Sequence, residues 1–166
     1  MTEVAAASGL RALMRQAPQL VTVVTAVGDE GPRGITVSSM TSVSMAPPLL
    51  LVSIARTAAA HAAIAAGRFR VHLLGEDQAA VSSHFATPGK SSEEQFSGAF
   101  TDAPGSGAGG APPQLAGCLG WVECQTAATH DEGDHTLFVG RVLDAAVERP
   151  DAAPLIYQNR GYRRLA

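Results

Sequence analysis

Gly34-Ile35-Thr36-Val37-Ser38-Ser39-Met40-Thr41-Ser42-Val43-Ser44, then Pro47-Pro48-Leu49-Leu50-Leu51-Val52-Ser53-Ile54-Ala55-Arg56-Thr57, is the stretch on which the fold turns. Ile35 and Val37 alternate with Gly34, Thr36 and Ser38, the two-residue period of a strand with one apolar face. Thr41 to Met45 continues the alternation as strand or loop, and Pro47-Pro48 interrupts it. Leu49 to Ala55 is apolar on both faces, which predicts a central strand. Thr57 is a natural N-cap for an Ala-rich helix over 58–66, ended by Gly67.

Working outward, Leu20 to Val27 is rich in Val and Thr and predicts a strand, with a turn at Gly28-Asp29-Glu30-Gly31-Pro32. Within the N-terminal segment 1–18, Ser8 is positioned to cap a short helix that carries Leu10, Leu13 and Met14 and stops at Pro18. Downstream come a strand from Phe69 to Leu74, a helix from Glu76 to Ala86 and a loop around Pro88-Gly89-Lys90. Residues 103–113 are almost all Gly, Ala, Ser and Pro and predict a flexible surface loop. Two long strands, 117–129 and 135–147, form a hairpin across Asp131-Glu132-Gly133-Asp134. Two short strands follow near 154–158 and 161–165, with Gly161 between them. Seven or so strands joined mostly by short turns predict one mainly β domain over 1–166, an antiparallel barrel with short peripheral helices.

The chain has 166 residues, of which 46% are hydrophobic and only 16% charged, so a core of Val, Leu, Ile and Ala is affordable without metal or disulfide support. Lys and Arg number 12 against 15 Asp and Glu, a net charge of −3 that argues against a nucleic-acid partner. Cys118 and Cys124 make neither a disulfide framework nor a zinc spacing and are expected to be buried free thiols in a reducing cytoplasm. No secretory signal and no membrane-length apolar run is visible, which predicts a cytoplasmic protein with no membrane partner. The histidines show no metal spacing, so no metal is expected. Both the nucleophile-elbow motif of serine hydrolases and the Gly-rich fingerprint of Rossmann domains are absent.

Three features carry chemistry. Thr36 and Ser38 project small hydroxyls from one strand face, which suits a flat polar ligand; the plainer reading is a strand edge meeting solvent. Ser53-Ile54-Ala55-Arg56-Thr57 runs from a strand end toward a helix and collects donors for an organic phosphate, against the plainer reading of a cap and a solvated Arg. Gly133-Asp134-His135 places an orientable proton carrier at the start of a strand, against the plainer reading of an exposed polar turn.

In this order and spacing, the pieces resemble the flavin reductase-like family, the small FMN-binding split-barrel proteins. The resemblance runs from near Leu20 to Leu165. Its further marks are Val21-Thr22-Val23-Val24-Thr25, Arg56-Thr57 with His61, Gly67-Arg68-Phe69, Phe85-Ala86 and Trp121-Val122-Glu123-Cys124. Gly133 to Gly140, Pro154-Leu155-Ile156-Tyr157 and Gly161-Tyr162 complete the set. It implies a homodimeric, antiparallel, Greek-key-like split β-barrel that binds FMN or FAD and reduces it with NADH or NADPH, often for a separate monooxygenase.

Carried over by position, it assigns Thr36, Val37, Ser38 and Ser39 to the isoalloxazine and ribityl chain, and Ser53, Ile54, Ala55, Arg56 and Thr57 to the flavin phosphate. It gives Lys90 and Phe96 to a loop closing over the flavin, His135 to the nicotinamide side and Tyr162 to the pocket lining. Met40 stands where Phe is usual, Ala59 and Ala60 where hydroxyls are frequent, and His72 where Asn is common. A non-catalytic flavin carrier or sensor and a flavin-free ligand-binding barrel are the alternatives that the sequence leaves open.

Overall fold

The structure, a computed structural model, describes residues 2–97 and 111–165. Of the expected loop at 103–113, all but 111–113 lies outside the described residues. Helix α1 (Glu3–Gln16) is capped six residues before the expected Ser8, by Thr2, whose side chain accepts from the Ala5 amide, and it buries none of its residues. Strands β1 (Gln19–Leu20), β2 (Thr22–Gly28), β3 (Gly31–Val37), β4 (Thr41–Met45) and β5 (Pro48–Ala55) follow. Next come α2 (His61–Ala65), β6 (Arg68–Leu73), α3 (Ala79–Ala86) and α4 (Ser92–Phe96). The chain ends with β7 (Gly120–Glu132), β8 (His135–Val147), β9 (Ile156–Gln158) and β10 (Gly161–Arg163).

Seven strands form an antiparallel sheet in the order β3-β2-β6-β7-β8-β5-β4, and a small sheet orders β1-β9-β10. This is the mainly β, split-barrel-like architecture with short helices that the resemblance implies. Gly133, at φ 61°, makes the two-residue turn that lets β7 and β8 pair over their full length. The β9–β10 turn is carried by Asn159 and Arg160, at φ 49° and 61°, rather than by Gly161, which is the first residue of β10.

Two strand expectations are corrected. The strand covered on both faces is β2, where Val23 and Val24 are both fully buried on successive, opposite sides. β5 lies second from the edge and buries only alternate residues, Leu50, Val52 and Ile54. One core cluster gathers Val24, Val52, Ile54, Phe69 and Phe138 under Ile64 of α2. A second gathers Val21, Val23, Leu74, Phe85, Leu115 and Leu155 against α3.

Helix boundaries also move. α2 starts at His61 with no side-chain cap, so Thr57 caps nothing, and residues 56–60 form turns ahead of the helix. α3 begins at Ala79 rather than Glu76. α4, not anticipated, is held by a capping box between Ser91 and Glu94. Its Gln95 side chain bonds both the amide and the carbonyl of Gly34, at 3.0 and 3.1 Å, and so stands in for a neighbouring strand on the open edge of β3. Gly34 itself is required, because a Cβ there would lie 2.5 Å from the Phe85 ring.

Cys118 precedes β7 instead of lying in it, and both cysteines are buried and free. Burial pushes the Cys118 and Cys124 thiols up to about 11 and about 12, which makes them packing groups rather than nucleophiles. The fully buried His72 sits between the Val23 carbonyl (3.1 Å) and the Leu115 amide (3.2 Å). The amide must donate to Nε2, so Nδ1 carries the proton and the ring is neutral. Desolvation lowers its pKa from 6.5 to about 3.

The sheet has two open edges, β3 and β4, and the chain passes from one to the other through residues 38–40. That crossing is the seam of the split barrel.

Candidate functional site

Ser38, Ser39 and Met40 lie between β3 and β4, so their amides are not committed to a ladder. The Ser39 hydroxyl donates to the Ser53 carbonyl (2.8 Å) and accepts from the Ser53 amide (3.0 Å), fastening the seam to β5. Thr36 Oγ1 donates to the Ser82 carbonyl (2.7 Å) and Ser38 Oγ to Gln19 Oε1 (2.5 Å). Each hydroxyl of the expected ring site therefore gives its proton to the protein, and toward a ligand it offers only an acceptor. Val37 and Ile54 turn their side chains to the first core cluster, so any ligand contact from Ile54, which is fully buried, comes from its main chain.

At the end of β5 the Ser53 and Thr57 hydroxyls and the Arg56 guanidinium make no hydrogen bond or ion pair among the described residues. Arg56 and Thr57 are exposed and Ser53 is half-buried. These donors stand on turns before α2 and not on its first helical turn, which corrects the expected helix-terminus arrangement. The main chain brings this group to the β7–β8 hairpin: Ala55 pairs with His135, and the Arg56 amide donates to the Asp134 carbonyl at 3.0 Å.

His135 is half-exposed, and its Nδ1 lies 2.6 Å from the Asp134 carboxylate. A carboxylate only accepts, so Nδ1 bears the proton and Nε2 faces outward. The His135 hydrogen bond holds the Asp134 carboxyl below its usual range.

Tyr162 meets Thr36, Val37 and Ser38 across a cavity of about 310 Å³ that Ser82 and Tyr157 also line. Its hydroxyl reaches Ser82 Oγ at 2.9 Å and Ser83 Oγ at 3.2 Å, and its ring stands edge-on to Tyr157 at 5.6 Å. Lys90 and Phe96 are anchored to α3, and Phe96 packs against the same core cluster as Tyr162. The Lys90 ammonium binds the Nδ1 and carbonyl of His84 at 2.9 and 3.0 Å, and the Phe96 ring packs on Phe85 at 5.4 Å.

Sequence reading missed Gln19 and Ser82 as partners of the candidate site, and it quoted Tyr157 only as part of a motif. Gln19 and Ser82 are reached through contacts 19 and 46 residues apart in the chain and carry no local signal. Among the described residues no group of three or more His, Cys, Asp or Glu is placed to hold a metal ion, and no helix is long and apolar enough to cross a membrane.

Residues 14–166 match the flavin reductase like domain. An FMN reductase (NADH) of Agrobacterium fabrum is 40% identical over 147 residues, covering 88% of this chain and 79% of its own length. The NADH:FAD oxidoreductase of Streptomyces globisporus, solved with NAD and FAD fragments, superposes with a TM-score of 0.85 at 32% identity, covering 100% of this chain and 96% of that one. The flavin reductase component of a bacterial two-component tryptophan halogenase gives a TM-score of 0.84 at 34% identity, covering 96% and 98%.

Proposed function

The chain belongs to the flavin reductase-like family, and from that premise we propose that it transfers a hydride from NADH to FMN or FAD and passes the reduced flavin to a separate flavin-dependent oxygenase. The names of the Agrobacterium and Streptomyces relatives support NADH as donor, and that of the halogenase component supports a separate acceptor enzyme. The observation that carries the reading is the meeting of three segments. The donors Ser53, Arg56 and Thr57, whose side chains have no partner among the described residues, lie within two residues of Ala55, the ladder partner of His135, and the seam serine Ser39 is bonded to Ser53.

The residues fit a flavin. Arg56 and Thr57 would hold its phosphate with charge-assisted bonds. Amides at 38–40 and the acceptor lone pairs of Thr36, Ser38 and Tyr162 would hold the polar edge of its ring. Bound flavin and nicotinamide supply the hydride acceptor and donor. His135 acts at its outward Nε2. Neutral, it accepts from a carboxamide N–H; protonated, it donates, while Asp134 keeps the ring oriented.

The partner of the barrel is a second copy of the chain. An apolar groove of about 410 Å³, lined by Met40, Leu119, Trp121, Ala146 and Val147 among others, lies open, and Val43, Met45 and Leu143 are exposed on β4 and β8. The homodimer implied by the resemblance supports this reading, since a monomer would leave that face to water.

The test is anaerobic mixing with NADH or NADPH in the presence of FMN, FAD and riboflavin in turn. Loss of oxidised-flavin absorbance is expected, fastest with NADH. No loss with any flavin would overturn the proposal.

A further inference from the structure

We propose that His61 is a positioning residue for His135, acting through Thr136 and Asp131. The inference rests on the role given to His135 above. His61 Nε2 lies 2.8 Å from Thr136 Oγ1, and Thr136 Oγ1 lies 2.6 Å from Asp131 Oδ1. Thr136 is 2% exposed, so its hydroxyl has no recourse to solvent.

The single hydroxyl proton goes to the carboxylate, which can only accept. The oxygen must then accept from His61, so Nε2 of His61 carries hydrogen and the chain of bonds runs in one direction, from His61 through Thr136 to Asp131. The His61 ring stands edge-on to Phe138 at 5.2 Å, which fixes its plane.

Placement in the sheet gives this chain its consequence. Thr136 pairs with Ile54 on one side and Asp131 on the other, while the next residue, His135, pairs with Ala55 and Glu132. Successive side chains point to opposite faces, so Thr136 is gripped from inside the barrel while His135 projects outside it.

The 56–60 turn is tied to the hairpin at both ends. Its first residue is held by the Arg56–Asp134 main-chain bond, and its exit is held by the His61–Thr136 bond. Without the second tie, the exit of the 56–60 turn loses its hold on β8, and the placement of Thr57 and Arg56 relative to His135 rests on the ladder and the Arg56–Asp134 bond alone. A misplacement of this kind lowers the rate of a positioned step far more than it lowers ligand affinity.

The experiment measures single-turnover reduction of FMN by saturating NADH, FMN affinity and thermal midpoint for Thr136→Val, Thr136→Ser, His61→Phe and His135→Ala, and for the double variant Thr136→Val with His135→Ala. Thr136→Val removes both side-chain bonds at nearly constant volume and is expected to slow reduction about 10-fold. FMN affinity is expected to stay within about threefold, because Arg56 keeps its main-chain tie. Thr136→Ser should restore the rate, and the double variant should be no slower than His135→Ala alone. If Thr136→Val does not fold, His61→Phe, which breaks the same chain and keeps the ring on Phe138, carries the same expectations. Losses that add in the double variant, or an unchanged rate in both Thr136→Val and His61→Phe while His135→Ala is slow, would overturn the positioning role. An unchanged rate in His135→Ala would instead remove the reading on which it rests.

Discussion

The Arg56 amide donates to the Asp134 carbonyl at 3.0 Å, one step past the pair formed by Ala55 and His135. The β5–β8 ladder thus continues into the turn that carries Arg56 and Thr57, the proposed phosphate donors. Because this tie is made by main chain, replacing the side chain of Arg56 or of His135 does not remove it.

His135→Ala is expected to slow flavin reduction by NADH about 100-fold, the lower end for loss of a positioned acid–base group, because hydride transfer needs no protein proton. Flavin affinity should be nearly unchanged. Stopped-flow absorbance under nitrogen measures the rate. Wild-type rates at both limiting and saturating NADH would reduce His135 to a turn residue.

Arg56→Ala is expected to weaken FMN about 10-fold or more and riboflavin hardly at all, since a charge-assisted bond contributes about 1.5–3 kcal/mol and riboflavin has no phosphate. Fluorescence titration of the two flavins separates the cases. Equal losses for both would place Arg56 away from the phosphate.

Ser39→Ala removes one donor and one acceptor at once and leaves the Ser53 amide and carbonyl at the seam unpaired. A loss of about 1–3 kcal/mol in urea unfolding is expected. Stability equal to wild type would show that water or a shift of β4 replaces both bonds.

Stability should fall as the solution is acidified from about pH 6.5, at up to about 1.4 kcal/mol per pH unit, because of His72. The unfolded chain takes up a proton there near 6.5, whereas the folded chain resists until about 3. Above 6.5 both states are neutral at this ring, and the group contributes no slope. The depressed carboxyls of Asp77, Glu123 and Asp134 act only below their usual values of 3.8 to 4.5, which leaves the window above them to His72. His72→Asn should flatten the dependence between about pH 7 and about pH 5 in urea titrations. An undiminished slope would assign it to another group.

Equilibrium sedimentation at micromolar concentration should give twice the 17.0 kDa chain mass. Val147→Glu, on a strand end 77% exposed in the single chain, should shift the mass toward one chain. A single-chain mass for the unaltered protein would exclude the dimer.

What could be read from residues alone follows a physical line. The alternation in 34–38 was legible because a period of two survives any packing, and the β7–β8 hairpin was legible from its turn chemistry. The start of α2 was not. Thr57 has the chemistry of a cap, but the Arg56 amide is taken by the Asp134 carbonyl, and the chain needs five more residues before a helix begins. The half-buried face of β5 was hidden because Leu49 and Leu51 read as core whether or not anything covers them fully. α4 was announced by Ser91 and Glu94 at capping-box spacing, a signal present in the sequence and passed over. In the proposed site, Arg56, Thr57 and His135 were singled out by side-chain chemistry plus resemblance. Ser82 and the His61–Thr136 contact enter only through helix packing and strand register, which no local pattern encodes.

The crossing at 38–40 also makes the barrel elastic in one direction. Strands in a ladder are held about 4.8 Å apart by a row of main-chain bonds, and a cylinder closed all round by such rows has a fixed girth. Here the hoop is buckled by a short connecting span and the two bonds of one serine. Girth can then change by rotating a few torsions in that span while every ladder stays intact. A planar ligand held at that buckle, as proposed for flavin, would meet a site whose width follows a few torsions rather than a row of ladder bonds.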